Sequence, residues 1–245
     1  MSTQIKSAIV LAAGRGERLR PITDTMPKPL VQVAGKALLD HAIDRLEAAG
    51  VERVVVNVHY LGEQIEAHLS QRKTPEIVIS REPELLETGG AIVHARKLLG
   101  DQPFFAINGD SYWLDGAVSA LGRLASTLET TDTDAVLLLQ RTVTAIGYDR
   151  EVGDFMMDPL GIPRRRQESE VAPYLFSGIQ LLSPSLFDRA PPGPFSLNRI
   201  YDAAIEAGRL RAVLHDGEWY HVSTPEGLEL VRAQLERRRD RKSVV

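Results

Sequence analysis

Gly14, Arg15, Gly16, Arg18 and Arg20 crowd into one short stretch, and Lys28 follows between Pro27 and Pro29. Glycines have no Cβ, so the backbone can turn tightly and aim several N–H groups at one anion. The arginines add positive charge over the same residues, a combination that suits a triphosphate. The two prolines fix their own φ and bias the residues before them to extended backbone. The main chain therefore sets the direction of Lys28, whose ammonium is a candidate for stabilising an α-phosphate as its bond to pyrophosphate breaks. Arg18 is a second candidate. Asp110, in the run Asn108, Gly109, Asp110, ends an apolar segment. Its carboxylate suits Mg²⁺, which takes one or two carboxylates together with substrate phosphates; an aspartate accepting turn N–H bonds after Gly109 is the competing explanation.

Two commoner glycine motifs fail here. A dinucleotide fingerprint needs a third glycine where this chain has Leu19, and Pro21 obstructs the helix that should follow. A Walker loop needs Gly-Lys followed by Ser or Thr, whereas Gly35 and Lys36 are followed by Ala37.

The elements that must hold these residues read as alternating strands and helices. Residues 7–11 form an apolar run short enough for a buried parallel strand, and the glycine loop leaves its carboxyl end, where open α/β sheets bind ligands. Leu38, Leu39, Ala42, Ile43 and Leu46 recur at helical spacing and stop at Gly50, a fitting C′ residue. Further strands are expected at 54–58, 77–79, 104–107 and 135–139. Helices are expected around Leu61, Ile65 and Leu69, around Ile92, Ala95 and Leu99 with Thr88 as a possible cap, and around Val118, Leu121 and Leu124. Between Thr142 and Arg166 glycines and prolines break the chain into short hairpin-like pieces. A strand at 174–182, a helix at 200–207, a strand at 219–222 and a last helix complete an α/β, doubly wound, mostly parallel sheet.

At 245 residues the chain fits one large domain, and no linker is visible. A formal charge of −4 argues against nucleic-acid binding. The absence of cysteine excludes disulfides, thiolate catalysis and Cys-based zinc sites. The segment Met1 to Lys6 lacks a signal-peptide core, and no stretch of about 18 apolar residues occurs, so the expectation is a cytoplasmic protein without a membrane partner. Oligomeric state is left open.

The segment from Leu11 to Leu30 resembles the signature L-x-x-G-x-G-x-R-[LM]-x-P-[LI]-T…P-K-P-[LM] of the sugar-phosphate nucleotidylyltransferases. The resemblance continues in residues 86–90, 108–110, 176–179 and 195–198. It implies a Rossmann-like, GT-A-like fold with a small β-rich, sugar-facing lobe. Residues 1–140 would form the nucleotide-binding part, 141–225 the sugar-binding part, and 226–245 a terminal helix and tail. The implied reaction joins a nucleoside triphosphate and a sugar 1-phosphate, with Mg²⁺ or Mn²⁺. UTP with N-acetylmuramate 1-phosphate is the preferred pair, and GTP with mannose 1-phosphate the alternative. The nucleotide site would comprise Leu11, Ala12, Ala13, Gly14, Arg15, Gly16, Lys28, Gly89 and Asn108. Glu87, Thr88, Gly178 and Asn198 would face the sugar, although a capped helix start with tight packing explains residues 87–90 equally well.

One departure stands out. Relatives with this signature often carry W-x-D-x-G-T-P, the aspartate being a second magnesium ligand; here the run is Trp219, Tyr220, His221, Val222, Ser223, Thr224, Pro225. Imidazole suits softer ions than magnesium. Four readings of His221 stay open: a metal ligand favouring Mn²⁺, a phosphate contact beside an ion held by Asp110 and the phosphates, the mark of a silent sugar-nucleotide-binding regulator, or a satisfied structural histidine. Arg164, Arg165 and Arg166 read as a solvated face, with one arginine within possible reach of a substrate carboxylate or phosphate. Arg237 to Arg239 read as cations complementing a helix C-terminus.

Overall fold

The computed structural model describes residues 4–148 and 152–243. The first residues of the N-terminal segment, residues 149–151 of the glycine-broken stretch and the last two of the tail lie outside the described residues. The chain opens with β1 (Ser7–Leu11), the glycine loop and a small hairpin, β2 (Gln32–Val33) and β3 (Lys36–Ala37). Alternation follows: α1 (Leu38–Ala48), β4 (Arg53–Val58), α2 (Gly62–Leu69), β5 (Glu76–Arg81), α3 (Glu87–Leu99), β6 (Phe104–Asn108), β7 (Ser111–Leu114), α4 (Ala120–Thr130) and β8 (Ala135–Arg141). The second half holds two short strands, β9 (Phe155–Met157) and β10 (Pro163–Arg165), then β11 (Tyr174–Leu182), α5 (Asn198–Glu206), β12 (Leu210–Leu214), β13 (Glu218–His221) and α6 (Pro225–Ser243).

The main sheet runs β10-β9-β11-β6-β1-β4-β5, with β8 beside β11 and β12 beside β8. Strands β6, β1, β4 and β5 are mutually parallel, as are β8 and β12; β11 runs antiparallel to β6 and β8. Successive residues serve opposite faces because the side-chain period is two. Ala8, Val10, Val54 and Val56 pack with α1, α2 and α4, while Ile9, Val55, Phe104 and Ala106 pack with α3 and α5. Burial on both faces explains why these strands read as unbroken apolar runs.

The chain moves outward from β1 to β4 and β5, then crosses back to place β6 on the other side of β1. That reversal opens a crevice beyond the carboxyl ends of β1 and β6. Leu11 pairs with Asn108 at this point, so the glycine loop and the Asn108 turn leave the sheet side by side. A third apolar cluster, including Leu19, Val31, Tyr112, Tyr220 and Leu228, seats the segment after the loop and α6 against β7 and β13.

Some local expectations give way to tertiary context. Lys28 is not extended but opens a single 3-10 turn, Lys28–Leu30, held by Leu30 N–H to Pro27 O (2.9 Å) and Val31 N–H to Lys28 O (3.0 Å). Val118 lies outside its helix and is exposed, because Ser119 caps α4 by accepting the Gly122 N–H. Thr88 does not cap α3; its hydroxyl accepts the N–H of Leu197 at 2.9 Å instead.

Candidate active site

Gly16 turns with φ +64°, and a Cβ there would lie 2.9 Å from Thr23 Cγ2 and 3.0 Å from Lys28 Cβ. Its glycine identity follows from its own backbone and from close packing on the lysine. Thr23 donates its hydroxyl to Gly16 O at 2.9 Å and closes the loop. Gly14 differs: its φ is not positive, and a Cβ would meet nothing within 4 Å. The protein alone therefore does not require glycine at 14, and a side chain there would project into space that a ligand can use. Gly109 is fixed sterically, with a Cβ 2.7 Å from Leu11 O, the same oxygen that accepts its N–H at 2.8 Å.

Lys28 is buried, and its Nζ lies 2.5 Å from Asp110 Oδ2. Burial pushes the Asp110 carboxyl up, but the charge and hydrogen bond of Lys28, aided by His221, outweigh it and hold the group below the usual carboxylate range. His221 ends β13 directly opposite Ser111, the first residue after Asp110, so strand pairing brings the imidazole to the carboxylate. Its ring stacks on Trp219, centroids 5.4 Å apart, and meets Tyr148 edge-on at 6.0 Å.

Two compartments meet here. The larger, about 580 Å³, is lined by Leu11 to Arg18, Lys28, Asn57, Glu82, Glu87, Thr88 and Asp110, among others. The smaller, about 220 Å³, is walled by Tyr148, Phe176, Trp219 and His221, with Asp154 and Gly178. Arg18, Asn108 and Asp110 border both. Among the described residues neither Arg15 nor Arg18 has an ion-pair partner, so both guanidiniums can receive an anion at the mouth of the crevice.

The sequence matches the Nucleotidyl transferase family model over residues 7–148. It is 42% identical to an N-acetylmuramate alpha-1-phosphate uridylyltransferase from Caulobacter vibrioides, over 96% of this chain and 99% of that protein. An enzyme of the same name from Neisseria meningitidis serogroup B is 35% identical over 89% of this chain and 93% of its own length. The chain belongs to the nucleotidyl transferase family. A solved UDP-glucose pyrophosphorylase complexed with UDP-glucose shares the fold at a TM-score of 0.76 and 20% identity, covering 95% of this chain and 99% of that one.

In this nucleotidyl transferase the residues expected from sequence do not all converge. Leu11 to Gly16, Arg18, Lys28, Glu87, Thr88, Asn108 and Asp110 line the larger compartment, and Gly178 and His221 the smaller. Gly89 does not line either: a Cβ would fall 2.2 Å from Phe195 Cε2, so it is glycine to admit that ring. Asn198 stands elsewhere, accepting a bond from Arg165 at 2.9 Å. Arg165 also pairs with Asp202 and lies over Phe155; Arg164 grips Glu170 with both terminal nitrogens, and Arg166 donates to three loop carbonyls. The arginine run therefore braces β10 and the loop after it, and ties β10 to α5.

A buried polar relay escaped the sequence reading. Asn57 Oδ1 accepts the Ala12 N–H at 2.7 Å, its amide donates to Glu82 Oε1 at 2.6 Å, and Glu82 Oε2 accepts the Leu86 N–H at 3.1 Å. It ties the start of the glycine loop to the start of α3 across the larger compartment. The available signal was a lone asparagine in the apolar run 54–58, since buried polar groups need partners.

Proposed function

We propose that this nucleotidyl transferase moves the uridylyl group of UTP onto N-acetylmuramate 1-phosphate and releases pyrophosphate. The observation that carries the reading is the meeting of Lys28, Asp110 and Arg18 where the two compartments join. The larger compartment takes the nucleotide, its triphosphate along the loop from Leu11 to Arg18. The smaller, with three aromatic rings and Asp154, takes the sugar. Residues before about 140 supply most of the first and residues of 141–225 most of the second. The names borne by the two relatives support the choice of base and sugar.

The chemistry needs no protein nucleophile. A sugar phosphate carries a charge of about −1.5 to −2 near neutral pH, and its oxygen can attack the α-phosphorus directly as the bond to pyrophosphate breaks. The protein must align two anions that repel each other and stabilise the charge of the leaving group. Lys28, buried and held on Asp110, does so as a fixed cation, Arg18 as one with no ion-pair partner among the described residues, and the neighbouring backbone amides receive phosphate oxygens.

A divalent cation fits the same junction. Among the described residues no cluster of three or more His, Asp or Glu forms a protein cage. Asp110 with His221 would supply two donors and leave the rest to phosphate oxygens and water, as magnesium sites commonly do. The ion, Mg²⁺ or Mn²⁺, would neutralise phosphate charge. Pyrophosphate release distinguishes the pairs: UTP with N-acetylmuramate 1-phosphate should turn over well above GTP with mannose 1-phosphate. Release with no pair would favour a sugar-nucleotide-binding regulator.

A further inference from the structure

Ser223 follows β13 at the position where the W-x-D-x-G-T-P run has glycine. The side chain is buried, at 1% exposure, and its Oγ has no hydrogen-bond partner. Four other buried side-chain atoms among the described residues share that state, on Arg123, Gln140, Gln180 and His215. None of those residues borders either compartment, whereas Ser223 borders the larger one together with Gly14 to Arg18, Lys28 and Asp110. A buried hydroxyl without a partner bears the cost of desolvation with no return, and in a native protein it calls for an explanation. Its surroundings supply one. Of the groups that line the compartment with it, Lys28, Arg15 and Arg18 offer only donors, Lys28 holds one oxygen of Asp110, Asn57 and the Leu86 N–H hold Glu82, and no carboxylate there accepts from the hydroxyl. An oxygen anion held by those cations would be the missing acceptor.

We propose that the Ser223 hydroxyl donates to a phosphate oxygen of the bound nucleoside triphosphate, a contact that a glycine at this position cannot make. The inference rests on the nucleotidyl-transfer reading and adds a binding residue to it. Ser223 is a phosphate contact rather than a group that moves protons, and its effect falls on triphosphate affinity.

Calorimetric titration of UTP, and NMR titration of uridine, into the unsubstituted chain, Ser223→Ala and Ser223→Gly tests it, with thermal melting of each unliganded protein alongside. Loss of one hydrogen bond to a charged acceptor should weaken UTP binding by about tenfold in both variants. Uridine affinity should stay unchanged. The unliganded Ser223→Ala protein should melt at the same temperature or higher, because an unsatisfied hydroxyl has been removed. UTP affinity unchanged in both variants, an equal loss for uridine, or a clear drop in the unliganded Ser223→Ala melting temperature would each overturn the proposal. Failure of the unsubstituted chain to bind any nucleoside triphosphate would instead remove the nucleotidyl-transfer reading beneath it.

Discussion

Removing the Lys28 ammonium takes away the charge nearest Asp110 and, on the proposed mechanism, a principal stabiliser of the breaking phosphate bond. Lys28→Ala should lower turnover by about 100-fold or more, the scale of losing one preorganised electrostatic donor. The Asp110 side chain is about a third exposed, so water can solvate it once the lysine is gone, and the melting temperature should shift much less than the rate. Near-normal pyrophosphate release from a folded variant would refute the assignment. The two loop glycines predict opposite outcomes. Gly14→Ala should leave the melting temperature intact and weaken triphosphate binding, because its Cβ meets only open cleft. Gly16→Ala should destabilise the protein itself by about 1–2 kcal/mol from its left-handed φ, with crowding against Thr23 and Lys28 added. His221→Asp, assayed with Mg²⁺ and Mn²⁺, reads the metal question: a shift of preference toward Mg²⁺ supports ligation, and unchanged rate and preference dismiss it. The glycines, Lys28 and Asp110 were legible in the sequence because their types and spacing already imply a shared anion. Ser223 and Asn57 were not, since only the fold reveals which polar atoms are buried and what they face.

Element placement was legible where one rule dominated. The buried strands β1, β4, β6 and β8 read cleanly because burial on both faces gives each an apolar run, and β11 keeps enough apolar residues around Ser177, Gly178 and Gln180 to read as a strand as well. Strands β7 and β12 did not, as neither gives a long apolar run: β7 has four residues, and β12 carries Arg211. Sequence also left open which way a helix start faces, so it did not reveal that Gly89 packs against Phe195 and that Asn198 accepts from Arg165. At the edge of the sheet, β8 and β12 are tied at their entrance by Arg209, which grips the Asp134 carboxylate with two nitrogens while the Asp134 N–H donates to Arg209 O. The hydrogen bond from Arg209 outweighs partial burial and holds the Asp134 carboxyl below its ordinary value. A carboxyl with a depressed folded-state pKa stabilises the fold above its unfolded value, near 3.9, and that contribution fades as pH falls toward the folded value. Asp134→Asn should therefore lower the melting temperature modestly at pH 7, and the gap from the unsubstituted protein should close through the acid range below about pH 4. A gap independent of pH would assign the effect to packing instead.

At the scale of the whole molecule, the order β6-β1-β4 sets a crevice at one edge, and every proposed phosphate-handling residue is delivered there by a strand end or the loop following it. The β7–β13 ribbon adds His221 from the far end of the chain, and β11 adds Gly178, whose φ of +79° and tight fit against Ser111 and Asn108 shape the wall of the smaller compartment. Gly178→Ala should damage both stability and sugar selection, since its Cβ would lie 2.4 Å from Ser111 Oγ. Among the described residues no helix is long and apolar enough to cross a membrane. The overall α/β order could be anticipated from alternating periodicity, but the antiparallel insertion of β11 could not, because strand direction leaves no mark on a run of buried side chains. The most direct measurement is a crystal structure of the chain with a non-hydrolysable UTP analogue, N-acetylmuramate 1-phosphate and Mg²⁺. The account predicts the triphosphate along residues 11–18, the sugar in the compartment lined by Tyr148, Phe176 and Trp219, and the α-phosphorus beside Lys28 and Asp110; a nucleotide or sugar bound away from that junction would contradict it.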